Sequence, residues 1–427
     1  MSLDQAFEKI ISEREAALLK PAASQIGAAV KEYGYVDIVV FPSLDALLAS
    51  AIAVSALYRN GVDFTISMAP IVPRQVSEPT LFLGYPAYIA QEIRASKPSA
   101  LIGFGEKPQG LLHVAVTSSM DSSVAALTAA VFSELTVVGY NSIYGLIAGY
   151  WRKLDKGKKA EFVGIEAGIA DMLKLENKIE ESFNLRLFRW QELGTEEAIS
   201  LTLEPFLPGL SGHLGNAIKF LESDPRIAPL IGKTLKEAPE QSVTVLGEKL
   251  YELLKKSSKG PRRPTELIGT TYYSFVFPLR DLREAQYVLA RYAASRYAQQ
   301  LSMIGIMEEP LAAAAYYMYM SSFEKMIESI EEVISKGTES LILNKLRLRV
   351  AEVDEHFHPI VERILQQLGH ISEGEVFGAA TGHGIIVLLE QLLYTYGYPW
   401  LEEAIEKKCI DYIEGSLFGA VQREKCK

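Results

Sequence analysis

The spacing of apolar and polar residues over the first hundred positions predicts a sheet wound with helices. A charged amphipathic stretch opens the chain and predicts a helix that ends near Lys31-Glu32-Tyr33-Gly34. Tyr35 to Phe41 (YVDIVVF) is then rich in β-branched residues and too short for a helix, the pattern of a buried strand. Pro42 and Ser43 turn the chain, Asp45 to Arg59 resumes an Ala- and Leu-rich helical pattern, and Val62 to Met68 supplies the next strand. This is a βαβ unit, which implies parallel strands. Further strands are predicted at Thr80 to Leu83, Ala100 to Ile102 and Leu111 to Val116, with a helical stretch at Ala87 to Ser96.

From Ser122 to about Leu254 the pattern is nearly all helical, broken by turns at Lys156 to Lys159 and at Pro205 to Gly215. Lys255 to Pro264 (KKSSKGPRRP) joins Pro, Gly and Ser to five cations, the composition of an exposed linker. The expected organisation is therefore a first domain over 1–254 with its helical region from about 122, a basic linker over 255–264, and a second domain over 265–427. That second domain is predicted to open on a strand at Gly269 to Phe277, to continue in helices over Arg280 to Met303 and Pro310 to Ser335, and to end in mixed helical segments. No solenoid-type repeat is present. The expected fold class is α/β, a parallel-sheet domain carrying a large helical region, followed by a second, smaller α/β domain.

Composition narrows the class. With 427 residues, 48% apolar and 22% charged, the chain excludes disordered and low-complexity classes. Lys plus Arg (43) against Asp plus Glu (53) gives a net charge of −10, so the whole molecule has no generic attraction for nucleic acid or anionic membrane. The two cysteines, Cys409 and Cys426, supply neither a four-ligand zinc site nor a disulfide framework, and a reducing cytoplasm is the expected compartment. No export signal is read at the N-terminus. Leu135 to Trp151 carries no formal charge, but Asn141, three tyrosines and three glycines predict a buried helix rather than a membrane span.

The informative stretch is Phe41-Pro42-Ser43-Leu44-Asp45-Ala46-Leu47-Leu48-Ala49, at the strand-to-helix turn where open α/β sheets bind ligands. It resembles the first motif of the DHH phosphoesterase superfamily, His-x-Asp-x-Asp-(Gly or Ala)-x-x-Ser. In register, the His falls on Phe41, the first Asp on Ser43, the second on Asp45 and the Ser on Ala49. The family's next Asp falls at Gly84 in Leu81-Phe82-Leu83-Gly84-Tyr85, and its Asp-His-His triplet at Gly103, Phe104 and Gly105. Two-metal hydrolysis needs several acids or histidines to hold ions about 3.5–4 Å apart. Asp45 alone cannot do this, and Glu106 and Asp121 lie nearby in sequence as stand-ins. No metal and no cofactor are therefore expected.

Downstream, Thr202-Leu203-Glu204-Pro205-Phe206-Leu207-Pro208-Gly209-Leu210-Ser211-Gly212 is similar to a stretch of archaeal RecJ-like proteins. Leu279-Arg280-Asp281-Leu282-Arg283-Glu284-Ala285 resembles the element that opens their DHHA1-like domain, whose Gly-Gly-Gly-His element is distorted here into Gly378-Ala379-Ala380-Thr381-Gly382-His383-Gly384. A RecJ-like chain stripped of metal ligands resembles the archaeal counterparts of cell division control protein forty-five. That resemblance implies a non-catalytic replication factor that binds the GINS complex and supports the MCM helicase, in the cytoplasm at the nucleoid, with single-stranded DNA as a further partner and no membrane. The rival reading is an active metal-dependent single-strand exonuclease or phosphodiesterase with relocated ligands, and a third is an autonomous DNA-binding protein.

Several residues carry two readings. Asp45 is either a leftover ligand or the cap of the helix that follows it. Arg152, Lys153, Lys156, Lys158 and Lys159, with Lys255, Lys256, Lys259, Arg262 and Arg263, either contact single-stranded DNA or are solvated surface. His356 and His358, two apart, are read as an exposed polar turn before a metal pair, and His383 as a loop histidine before a phosphate contact. Tyr316-Tyr317-Met318-Tyr319-Met320 is read as helix core before partner surface.

Overall fold

The computed structural model describes residues 13–105, 117–118, 122–136, 139–259, 262–372, 374–382 and 384–426. The predicted strand at 111–116, and Glu106, Asp121 and His383, lie outside them. A helix over Glu13–Tyr33 (α1) leads into strand Tyr35–Val40 (β1), and the helix Leu44–Arg59 (α2) returns the chain to Asp63–Met68 (β2). Thr80–Pro86 (β3), Ala100–Phe104 (β4) and Thr117–Ser118 (β5) complete a sheet ordered β2-β1-β3-β4-β5 in which every pairing is parallel. The predicted helix over 87–96 is instead a short 3-10 turn at Ala87–Gln91 and a two-residue strand at Arg94–Ala95.

α2 is apolar on all sides, as a helix enclosed by other elements must be. It packs against Val124–Ser133 (α3) and Ile143–Trp151 (α4), so the uncharged stretch before Trp151 is a buried nine-residue helix. Among the described residues no helix is long and apolar enough to cross a membrane.

Gly164–Leu175 (α5), Ile179–Leu185 (β6), Thr195–Leu201 (α6), Leu214–Glu222 (α7) and Glu240–Ser257 (α8) follow. β6 corrects the all-helical expectation. Its IEESFNL pattern leaves alternate residues in solvent, and it is a strand because Ile268–Ser274 (β7) pairs antiparallel with it along seven positions. The strand expected to open a second domain is thus zipped onto the helical region that precedes the basic stretch. Lys255 and Lys256 are not linker either, since they form the last turn of α8, where cations complement the helix dipole.

Leu282–Ala293 (α9) and the 29-residue Glu308–Lys336 (α10) lead to the second sheet. Glu339–Leu343 (β8), Leu346–Glu352 (β9), the helix His358–Gln367 (α11), Val376–Thr381 (β10), Gly384–Leu388 (β11), the helices Leu389–Tyr396 (α12) and Tyr398–Glu406 (α13), Ile410–Tyr412 (β12) and Phe418–Val421 (β13) end the chain. The sheet order is β8-β9-β10-β11-β13-β12, with β9 and β10 parallel and the other neighbours antiparallel. The mixed helical ending is therefore a six-stranded sheet with helices laid on it. Cys409 and Cys426, expected in a reducing compartment, are joined by a disulfide that ties the C-terminal end back to β12. One continuous core runs from Leu19 to Cys426 through both sheets, and a smaller one lies under α6, α7, α8 and the β6–β7 ribbon.

Candidate functional site

The positions expected to have lost their ligands converge on the C-terminal edge of the parallel sheet. Phe41, Ser43 and Asp45 follow β1, Gly84 lies in β3, and Gly103, Phe104 and Gly105 end β4. The Phe41 N–H donates to Leu83 O at 2.9 Å, which sets β1 and β3 side by side at this edge. At Gly84 and Gly103 the packing leaves no room for an acid, whereas Gly105 faces open space. Gly84 has φ +85°, and a Cβ on it would lie 2.6 Å from the Ala46 Cβ and 3.2 Å from the Phe41 Cβ. On Gly103 a Cβ would meet Tyr85 O at 1.8 Å.

Aromatic rings fill the space above. Phe41 meets Tyr85 edge-on at 5.7 Å, Tyr85 meets Phe82 and Tyr398 at 6.4 Å, and Phe104 packs on Tyr394 at 5.6 Å. Tyr394 and Tyr398 come from α12 and α13, so the second sheet's helices close the cleft. The Tyr398 hydroxyl accepts the Val72 N–H at 2.9 Å, a bond that spans the two halves of the chain.

Asp45 is fully buried and does not cap its own helix. Ser43 does that, its Oγ accepting the Ala46 N–H at 3.2 Å. The Asp45 carboxylate crosses instead to α3 and accepts the Val124 and Ala125 N–H groups at 2.9 Å each, satisfying donors that a helix start leaves open. Arg152 lies 3.4 Å from its Oδ2, donates to the Tyr394 hydroxyl at 2.6 Å, and stacks over that ring at 4.4 Å. Glu166 accepts from the Ser123 N–H and the Ser122 hydroxyl, both at 2.7 Å, and Glu390 accepts the Trp151 indole N–H at 3.4 Å.

Three buried carboxylates thus surround one arginine. Burial raises the Asp45 carboxyl while Arg152 works the other way, and burial pushes Glu166 and Glu390 up to about 7. Both Asp45 oxygens are committed to backbone donors and Arg152, and among the described residues no cluster of three or more His, Cys, Asp or Glu is arranged to hold a metal ion. Among the described residues, therefore, the side chains at this edge do not fit the two-metal group that the first motif implies.

The downstream landmarks meet in a second buried network. Arg363 of α11 holds Glu204 through both oxygens, at 3.0 and 3.1 Å, and the Gln286 amide and Tyr287 hydroxyl donate to the same carboxylate at 3.0 and 3.1 Å. Arg283 donates to the carbonyls of Glu204 and Arg186. Burial opposes the Glu204 charge, but Arg363 and Arg283 hold its carboxyl down to about 2. Asp281 caps α9, accepting the Arg283 and Glu284 N–H groups at 2.9 and 3.2 Å. Both landmark strings are thus structural clamps, and Glu204 reaches across the chain to do it.

No family model and no curated protein matches the sequence. Solved structures do. The crystal structure of CDC45 from Entamoeba histolytica matches with a TM-score of 0.60 over 99% of this chain and 96% of that chain, at 9% identity. The fold is that of CDC45. RecJ in complex with Mn²⁺ from Thermus thermophilus aligns at TM-score 0.42 and 11% identity over 95% of this chain and 52% of its own, and an exonuclease RecJ bound to manganese at 0.37 and 12% over 93% and 95%.

On this CDC45-like fold the remaining predicted residues scatter. Arg152, read as a DNA contact, is an internal cation with 11% of its side chain exposed, and Arg262 is 4% exposed and paired with Glu266 at 2.7 Å. Lys153, Lys156, Lys158, Lys159, Lys255, Lys256, Lys259 and Arg263 are exposed. His358 is not in an exposed turn: it is fully buried between Phe377 and Phe418, and burial drives its imidazole down to about 4. His356 is half-buried against Ala294 O. Tyr319 is core, Tyr316 binds Arg189 at 3.0 Å, and Tyr317 is 74% exposed. Sequence reasoning missed Glu390, Tyr394, Tyr398 and Arg363, which no motif marks because each acts on a partner more than a hundred residues away.

Proposed function

We propose that this chain is a non-catalytic DNA replication factor, a degenerate RecJ-like scaffold that binds GINS and supports the MCM helicase in the cytoplasm at the nucleoid. One observation carries the reading: the sheet edge where a DHH enzyme would bind metals is packed with Phe41, Tyr85, Tyr394 and Tyr398, and its Asp45 is paired internally with Arg152. A helicase subunit close to unwound DNA must not cut it, so a filled cleft suits the role. The match to CDC45 over nearly the whole of both chains supports the same reading. Single-stranded DNA is a further partner in this reading, met at local basic residues because the net charge of −10 gives the whole molecule no generic attraction for it.

The test is affinity purification of the tagged protein from its own cells at moderate salt, with partners identified by mass spectrometry. GINS subunits at stoichiometric yield, with MCM below them, are the expected result. Digestion of single-stranded DNA in Mn²⁺ or Mg²⁺ that disappears in Asp45→Ala overturns the reading in favour of a nuclease.

A further inference from the structure

One rim of the second sheet is β8, Glu339-Ser340-Leu341-Ile342-Leu343, which pairs with β9 on one side only. Its register fixes which backbone groups face outward. Leu343 and Leu346 close a two-residue turn, Asn344-Lys345, in which Asn344 takes the positive φ, +54°, that suits a tight hairpin. The pair closing such a turn exchanges both backbone bonds, and so, alternating along the ladder, do Leu341 with Leu348 and Glu339 with Val350. Ser340 and Ile342 therefore turn their N–H and C=O groups away from the sheet. Among the described residues nothing bonds to them there.

Natural sheet edges are blunted by a lysine, a proline or a bulge within the edge strand. β8 has none of these, its pairing runs without a break, and its Ile342 is 66% exposed. The charges stand at its two ends, Glu339 on the first residue and Lys345 just past the last. Neither forms an ion pair among the described residues, and Glu403, which shares a hollow with Lys345, is held by Lys407.

We propose that β8 pairs antiparallel with β8 of a second copy of this chain, carrying the second sheet across a two-fold axis. The edge is complementary to itself. With the axis at Leu341 the two strands overlap along their full length, and Ser340 of each copy stands opposite Ile342 of the other. These outward-facing residues then exchange both backbone bonds, reciprocally on either side of the axis. Glu339 faces Leu343 of the second copy and lies one diagonal step from its Lys345, within reach of long side chains. Parallel pairing would instead set glutamate beside glutamate and lysine beside lysine. Backbone pairing needs an extended polypeptide, and the end charges choose one with an acid and a base in matching places, which β8 itself supplies. The inference does not rest on the function proposed above.

The experiment is sedimentation of the full-length protein over a concentration series. Two five-residue strands make a small contact, so a dimer with a Kd of about 100 μM is expected. Ile342→Pro removes an outward N–H and spares the bonds to β9, and is expected to abolish the dimer. Glu339→Lys is expected to weaken it about tenfold, and Lys345→Glu added to that variant to restore it, a rescue that a folding defect does not show. Leu341→Cys supplies the one free thiol, since Cys409 and Cys426 are joined to each other. It is expected to form a disulfide-linked dimer with diamide, because partners at a non-hydrogen-bonded position lie about 4.5 Å apart at Cα. Tyr317→Cys, exposed on α10, is the control expected not to crosslink. A chain that stays monomeric at about 500 μM, five times the expected Kd, overturns the proposal. So does a dimer that Ile342→Pro leaves intact or that Leu341→Cys fails to crosslink. A monomer whose Ile342→Lys variant loses a protein that the wild type retains on purification would give the edge to that partner instead.

Discussion

Two buried charge networks sit on either side of the C-terminal end of α4, and they are built in opposite ways. At the sheet edge Asp45, Glu166 and Glu390 share one arginine, Arg152, so carboxylates are in excess and two of them have pKa values near 7. At the clamp Glu204 alone is held by Arg363 with Arg283 alongside, so cations are in excess and the carboxyl sits near 2. α4 joins them: Arg363 donates to the carbonyls of Tyr150 and Trp151 at 2.9 and 2.6 Å, and the next residue is Arg152. The clamp is a tie between distant segments in which both Glu204 oxygens are paired, while Arg283 Nε and Gln286 Oε1 are left without partners. The sheet edge is a group of buried acids whose charge is balanced by one internal cation and by protons.

Rebuilding the missing acids is the most severe way to break this comparison. Gly84→Asp meets Ala46 and an unfavourable φ at once, so it is expected to lose more than about 4 kcal/mol or to fail to fold, and to restore no metal-dependent hydrolysis. Denaturant unfolding and a single-strand digestion assay check both halves. Next in size is Arg363→Met, which strands the Glu204 charge and is expected to cost about 3–5 kcal/mol in the same unfolding experiment.

Arg152→Met is expected to cost less, about 2 kcal/mol, because the sheet-edge carboxylates can take up protons instead of staying charged. Its cost should grow as pH rises through 7, where Glu166 and Glu390 lose their protons, and a cost that does not change with pH would remove the role given to those protons.

The smallest effect sharpens the comparison by its sign. Glu390 has a folded pKa of about 7 against 4.5 for an unperturbed carboxyl, so the folded state holds the extra proton and stability falls as pH rises from 4.5 to 7. For Glu204, at about 2, the stabilisation is full above 4.5 and is lost as pH falls towards 2. Glu390→Gln is therefore expected to raise stability by about 1 kcal/mol at alkaline pH and to leave it unchanged in mild acid, read from thermal melts across pH.

Much of the sheet edge was legible because buried parallel strands are continuous apolar runs, and their ends show which residues occupy ligand positions. Phe41, Gly84 and Gly103 could be placed at one edge in advance for that reason. β6 and the second sheet were not legible. β6 exposes alternate polar residues and is a strand only through β7, while β8 and β9 alternate in a way that a helix-rich reading absorbs. Asp45 looked like the cap of α2 because capping is a local rule, yet its carboxylate serves α3, some eighty residues on. The cationic stretch before Lys159 looked uniform, and packing then divided it into an internal charge, Arg152, and exposed lysines.

The sequence by itself determined which side chains are absent from the sheet edge and that the first strands run parallel, since identity and period are written residue by residue. Only the tertiary structure decided what took the place of those side chains. Arg152 reaches Asp45 across 107 positions and Tyr394 across 242, and contacts of that span are chosen by packing between elements, which no local spacing records.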